Sequence, residues 1–135
     1  MKKSIALILI LVLFFGCIKN ENNDFSKEIF GLWQLEKYES MTAGGYFTLT
    51  HAEDEQFNGK MVIKMNGQIV YQPNGPSEQS NSTYSISSYS ETDTSLYFKL
   101  NFKIFDNPVE WVCIYHKKSE LLQVNNIQRT WYSKK

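Results

Sequence analysis

The fold is decided by the stretch Ile29-Phe30-Gly31-Leu32-Trp33-Gln34-Leu35-Glu36-Lys37-Tyr38. In a β-strand the side chains alternate between two faces, so Gly31, Trp33, Leu35 and the stem of Lys37 would share one face. Trp33 and Leu35 lie on it with no charge between them, which makes it the better core face. A buried tryptophan brings roughly 150–250 Å² of surface and an N–H group that needs a partner. We therefore expect Trp33 to be the first large side chain of a β core.

Short alternating segments separated by turn signals follow this strand. In the segment 95–104 every second residue is apolar, a pattern that leaves little room for a helix. The segment 109–116 is apolar on both faces, and we expect Trp111, Cys113 and Tyr115 to point inward. The last strand candidate is 127–132. About eight strands at such spacing predict an all-β fold, an antiparallel up-and-down barrel, after a cleaved signal peptide.

One hairpin and one loop are predicted between these strands. Asn66-Gly67 is the preferred pair for a two-residue type I′ turn, which would leave Met61, Ile63 and Met65 on one face. The polar segment 73–82 predicts a long loop.

The first 17 residues have the layout of a bacterial lipoprotein leader. A basic start, Met1-Lys2-Lys3, precedes an apolar run of 11 residues, 5–15, which is too short to cross a bilayer. Gly16 and Cys17 follow at once, and a cysteine directly after a small residue resembles the lipobox. That resemblance implies cleavage before Cys17 and acylation of its sulfur, with palmitate or a similar chain as the membrane anchor.

The rest of the chain divides into a tether and one domain. Residues 1–16 are the predicted signal peptide, 17–28 a lipidated flexible tether, and 29–135 the barrel domain. Removal of Lys2 and Lys3 leaves 12 basic residues against 14 acidic ones, so no excess of positive charge would attract nucleic acid. The predicted location is the outer membrane of the cell envelope, at its periplasmic face or at the cell surface.

The order Gly31-Leu32-Trp33 at the head of an all-β domain resembles the Gly-x-Trp opening of lipocalin-like domains. The chain is most similar in pattern to the short lipocalin-like lipoproteins of Bacteroidetes-type bacteria, which are calycin-like small β-barrels. In lipocalins the tryptophan closes one end of the barrel, and an arginine from the last strand packs across it. The resemblance implies that Arg129, the one arginine of this chain, lies over Trp33. The alternative is an exposed Arg129 on an edge strand.

The predicted interior is rich in large side chains, which favours a filled barrel or a small pocket at one open end. If a ligand binds there, we expect the residues that contact it to be apolar and inward-facing: Trp33, Leu35, Tyr84, Phe98, Leu100 and Trp111.

No catalytic constellation or cofactor motif is evident, so we predict that the chain is not an enzyme and has no cofactor. His51 lies close to Glu53, Asp54 and Glu55, but their spacing fixes no coordination geometry, and a solvated acidic loop is the simpler interpretation. No metal site is therefore predicted. Cys113 is expected to be a buried small hydrophobic residue rather than a reactive thiol.

Two functions remain open from the sequence. The first is a membrane-anchored lipoprotein that binds a small apolar or amphipathic ligand in its barrel. The alternative is a protein-interaction lipoprotein with a filled barrel: an inhibitor, an immunity factor or a subunit of an envelope complex. A third function, metal handling through His51 and its acidic neighbours, has less support.

Overall fold

The computed structural model describes residues 27–41, 43–45, 47–51, 59–126 and 128–135, with the side chains of 41 and 47–51 left out. The predicted signal peptide, the anchor residue Cys17 and the tether up to residue 26 lie outside these residues, as does the acidic run 53–55. A single 3₁₀ turn, Lys27–Ile29, leads into the sheet.

The described residues form an all-β domain of antiparallel strands. In chain order these are β1 (Gly31–Met41), β2 (Phe47–His51), β3 (Lys60–Ile63), β4 (Gln68–Gln72), β5 (Ser80–Thr83), β6 (Ser85–Glu91), β7 (Ser95–Ile104), β8 (Asn107–His116), β9 (Leu121–Asn125) and β10 (Arg129–Lys134).

The strands follow one another around a nearly closed barrel. Their order is β5-β4-β3-β1-β10-β9-β8-β7-β6, and β2 also pairs with β1. Strands β2 and β3 both pair antiparallel with β1, β2 along residues 37–41 and β3 along residues 31–34. The predicted barrel is thus confirmed, with more strand segments than the eight or so expected.

Strand β5 was missed by the sequence prediction, which placed a loop over 73–82. Its sequence, Ser-Asn-Ser-Thr, carries no apolar alternation, yet it pairs with β4 along its whole length. Its other edge meets β7 through side chains. The hydroxyl of Ser80 accepts a hydrogen bond from the backbone N–H of Phe105 (2.9 Å) and donates to the carbonyl of Lys103 (3.3 Å). The hydroxyl of Ser82 accepts from the N–H of Lys103 (3.2 Å). Where β5 meets β7, serine hydroxyls therefore replace the backbone hydrogen-bond partners that a neighbouring strand would supply.

The hairpin at Asn66-Gly67 does not have the two-residue turn that the sequence predicted. Between β3 and β4 the N–H of Gly67 bonds the carbonyl of Lys64, and only Gly67 has a positive φ (+82°), so the loop has three residues rather than two. Met65 consequently lies in the loop and is 64% exposed, whereas Met61 and Ile63 are buried as expected. The two-residue turn with both φ angles positive is Phe105-Asp106 (+47° and +67°), between β7 and β8.

The core fills the barrel around Trp33. In β7 and β8 the predicted alternation is confirmed, since the inward-facing residues are buried, with Ile104 half-buried at the strand end. The buried apolar residues include Trp33, Met61, Ile63, Ile69, Leu96, Phe98, Leu100, Trp111, Cys113, Tyr115, Leu122, Val124 and Tyr132.

Candidate ligand-binding mouth

One end of the barrel is closed by Trp33. Its indole is fully buried, and its Nε1–H donates a hydrogen bond to the carbonyl of Ile29 (2.9 Å) in the 3₁₀ turn. The ring of Tyr115 packs edge-on against it, with ring centres 5.9 Å apart. The segment that precedes β1 therefore enters at this end, which we call the closed end.

The cation over Trp33 is Lys134, not Arg129. The register places Lys134 directly opposite Trp33, and its Nζ lies 5.6 Å from the centre of the indole and donates to the carbonyl of Glu28. Arg129 lies five residues before Lys134 on β10 and is opposite Glu39 of β1. Its guanidinium forms a 3.1 Å ion pair with Glu39, and its side chain is half exposed. The placement of Arg129 over Trp33, which the lipocalin-like resemblance implied, is therefore wrong, because the register puts Arg129 opposite Glu39 and Lys134 opposite Trp33.

Gly31 makes room for this lysine. It has φ +134°, and a Cβ atom built there would lie 2.9 Å from Cε of Lys134. The absence of a side chain at position 31 therefore lets the lysine stem lie against the backbone of β1.

The opposite end holds an open cavity of about 620 Å³, which we call the mouth. It lies at the start of β8 and β10 and at the end of β4 and β9. Its aromatic and aliphatic wall is formed by Tyr71, Val109, Trp111, Val124 and Tyr132, and its polar wall by Glu110, Asn126, Gln128 and Thr130. The volume is within the range of about 300–1,000 Å³ typical of small-molecule sites.

Three rings meet nearly at right angles beside the mouth. The centre of the Trp111 ring lies 5.2 Å from that of Tyr71 and 4.8 Å from that of Phe102, with interplanar angles of 87° and 89°. Such edge-to-face pairs are favourable because the positive edge of one ring meets the negative face of the other. The packing holds Trp111 in one orientation, with its indole forming part of the wall.

Two tyrosines, Tyr71 and Tyr132, line the mouth. Burial raises the pKa of Tyr71. Burial also raises the pKa of Tyr132, well above its ordinary value, and the neighbouring Tyr71 adds to this effect. Both phenols are therefore neutral near pH 7.

Of the six residues predicted to contact a ligand, only Trp111 lines the mouth. Trp33, Phe98 and Leu100 are at most 2% exposed within the filled part of the core, and Leu35 packs against that core. Tyr84 lies at a second cleft, of about 520 Å³, beside the junction of β5 with β7. Alternation predicts which face a residue occupies, but not its height along the barrel axis, which explains why these six residues do not meet at one cavity.

Sequence reasoning missed Tyr71, Tyr132 and Thr130 as mouth residues. The signal was present: Tyr71 follows the buried Ile69 at a spacing of two, and Thr130 and Tyr132 alternate in the same way along β10. Predicting that these residues lie at the open end would have required the register between the strands.

The described residues contain no group of three or more His, Cys, Asp or Glu side chains that could hold a metal ion. Metal binding by His51 and the acidic run is not tested, because these side chains lie outside the described set. Cys113 is buried as predicted, and burial raises the pKa of its thiol far above the ordinary value. Such a thiol is inert toward electrophiles at neutral pH.

The described residues define the class: a small antiparallel β-barrel that is filled around Trp33 and has an open cavity at the opposite end. No family model matches the chain, and no curated protein or solved structure is similar to it. Within the part of the chain that the structure describes, no helix has the length and apolar character needed to span a membrane.

Proposed function

We propose that this chain is a lipid-anchored lipoprotein of the bacterial outer membrane whose barrel binds a small amphipathic ligand in its mouth. The observation that carries the ligand-binding part is the open cavity of about 620 Å³, with an apolar wall and a few polar groups. The anchoring part rests on the leader and on Cys17, as read from the sequence. The lipocalin-like pattern adds fold-level support only, since a fold alone does not specify a function.

The ligand would occupy the mouth and not the barrel interior. The closed half is filled by Trp33, Tyr115 and their neighbours, whereas Trp111, Val124 and Tyr132 border the cavity. A ligand of modest size would place its apolar part against Trp111 and Val124. Its polar part would face Thr130, Asn126 and Gln128 at the rim.

Filling the mouth with a side chain tests this function. Thr130 is half-buried at the mouth, so Thr130→Trp should occupy part of the cavity and weaken binding of a neutral apolar dye at least tenfold. Ser119→Trp, in the exposed turn before β9, is the matched control because it adds the same indole at the closed end. Fluorescence titration of the dye against the full chain and both variants gives the measurement. Equal affinity in all three proteins, or no binding by the unaltered chain, would exclude a ligand site in the mouth.

The protein-interaction alternative is favoured by one further observation. Val112 and Tyr97 are 42% and 40% exposed on the outer face of β8 and β7, where Ile114 pairs with Tyr97. A photo-crosslinking residue placed at Tyr97 should capture a defined envelope protein if this face is an interface, and the same residue at Ser119 should not. The same products from both positions would argue against this alternative.

A further inference from the structure

We infer that the mouth selects uncharged, ring-containing amphiphiles and excludes organic anions such as fatty-acid carboxylates. The inference rests on the proposed ligand-binding function and adds the chemical class of the ligand. It is carried by three features of the mouth: its charges, its ring geometry and its hydrogen-bonding groups.

The residues that line the mouth include one glutamate but no lysine or arginine. Glu110 is among its lining residues, and its carboxylate is bonded to Nζ of Lys99 (2.9 Å). The guanidinium of Arg129, which is not among the lining residues, forms an ion pair with Glu39 (3.1 Å). All lysines and arginines from Lys27 onward lie in the described residues, so positions 42, 46, 52–58 and 127 contribute none. An anion in the mouth would therefore lose water without gaining a lysine or arginine partner, which is costly.

The ring geometry favours a flat ligand. Trp111 and Tyr71 stand almost perpendicular, so they form two walls of a corner. A planar ring can pack edge-to-face or offset against such walls, and aromatic pairs of this kind add to the free energy gained from apolar burial alone. A flexible acyl chain could make the apolar contacts but would lose more rotational entropy on binding.

The polar lining predicts the polar group of the ligand. Apart from Glu110 and the tyrosines, the polar residues of the mouth are Asn126, Gln128 and Thr130, which are uncharged. A ligand oxygen or nitrogen that accepts a hydrogen bond without carrying charge would suit the donors of these side chains, as a ketone, ether or amide does.

Two dyes that differ by one charged group test the inference. N-phenyl-1-naphthylamine is neutral, and 8-anilino-1-naphthalenesulfonate has the same ring system with one added sulfonate. We expect the full chain to bind the neutral dye at least tenfold more tightly, with the binding abolished by Thr130→Trp. Preference for the sulfonate, or equal affinity for both dyes, would overturn the selectivity while leaving the proposed ligand site intact. Failure of both dyes to bind the mouth would count against the site itself.

A charge placed at the rim provides the second measurement. Gln128 is exposed and lines the mouth, so Gln128→Lys should raise the affinity for the sulfonate dye several-fold relative to the affinity for the neutral dye. The matched variant Ser119→Lys adds the same charge at the closed end and should change neither affinity. A sulfonate affinity that rises equally in both variants would show a non-specific effect of net charge and would contradict the inference.

Discussion

Trp33 and Lys134 show how single residues close one end of the barrel. The indole satisfies its N–H on the carbonyl of Ile29, and the lysine crosses its face while donating to Glu28. Gly31 leaves the space that the lysine stem needs. The three residues depend on one another, since a side chain at position 31 would displace the cation from the ring.

Replacing Lys134 tests whether it, and not Arg129, stabilises the closed end. Lys134→Met keeps most of the apolar stem but removes the charge, and should lower the free energy of unfolding by about 0.5–2 kcal/mol, the range of a cation–π contact. Arg129→Met removes only an exposed ion pair, worth about 0–1 kcal/mol. Urea unfolding of both variants gives the comparison. A larger loss for Arg129→Met than for Lys134→Met would contradict this assignment.

At the scale of elements, the junction of β5 with β7 is the unusual feature. A four-residue strand without apolar alternation completes the barrel because Ser80 and Ser82 supply side-chain partners to the backbone of β7. Ser80 is only 7% exposed, so its hydroxyl cannot be replaced readily by water. The adjacent turn, Phe105-Asp106, adopts two positive φ angles without a glycine, which such turns usually prefer.

Removing the Ser80 hydroxyl should open this junction. Ser80→Ala leaves the N–H of Phe105 and the carbonyl of Lys103 without that partner, and a buried unsatisfied group costs about 1–3 kcal/mol. Ser77→Ala is the control, because Ser77 is exposed in the preceding loop and its loss should change stability by less than about 0.5 kcal/mol. Hydrogen exchange should also speed up at Phe105 in Ser80→Ala alone. Unchanged exchange and stability in Ser80→Ala would show that the hydroxyl is dispensable.

The whole molecule shows which features a sequence can predict. Alternation identified β7, β8 and the buried face around Trp33, because burial on one side of a sheet imposes a period of two. It could not predict register, so the choice between Arg129 over Trp33, as the resemblance implied, and an exposed Arg129 stayed open, and Lys134 was not foreseen there. It also could not separate the filled half of the barrel from the open end, so Phe98 and Leu100 were expected to contact a ligand, whereas the residues that line the cavity include Tyr71 and Tyr132. Strand β5 was not predicted because it is stabilised by hydrogen bonds of its serine hydroxyls, and these leave no apolar alternation in the sequence.

Stability should fall at alkaline pH through the two mouth tyrosines. Their pKa values are raised in the folded state above the ordinary value of 10.0, so the folded protein keeps protons that the unfolded chain releases. Their contribution is complete below pH 10 and is lost as the pH rises from there toward the folded-state pKa values, with a slope of up to about 1.4 kcal/mol per pH unit for each phenol. Urea unfolding between pH 9 and 11 measures this slope.

The double variant Tyr71→Phe with Tyr132→Phe is the control for the alkaline loss. It lacks both phenols, so its stability should decline less steeply over the same pH range than that of the unaltered chain. An identical decline in the two proteins would mean that other groups, and not this pair, control alkaline unfolding.

The position of the 3₁₀ turn has a consequence for the route by which a ligand would reach the cavity of an anchored protein. The chain reaches the barrel at Lys27, beside Trp33, while the cavity opens at the far end of the same strands. With the acyl anchor that we propose at Cys17, the tether would join the barrel at its closed end, so the cavity would lie on the side of the barrel opposite the point of attachment. Cargo would then arrive from dissolved or protein-borne pools, and a water-borne fluorescence quencher should reach a dye in the hollow end of the anchored protein more readily than a quencher dissolved in the lipid.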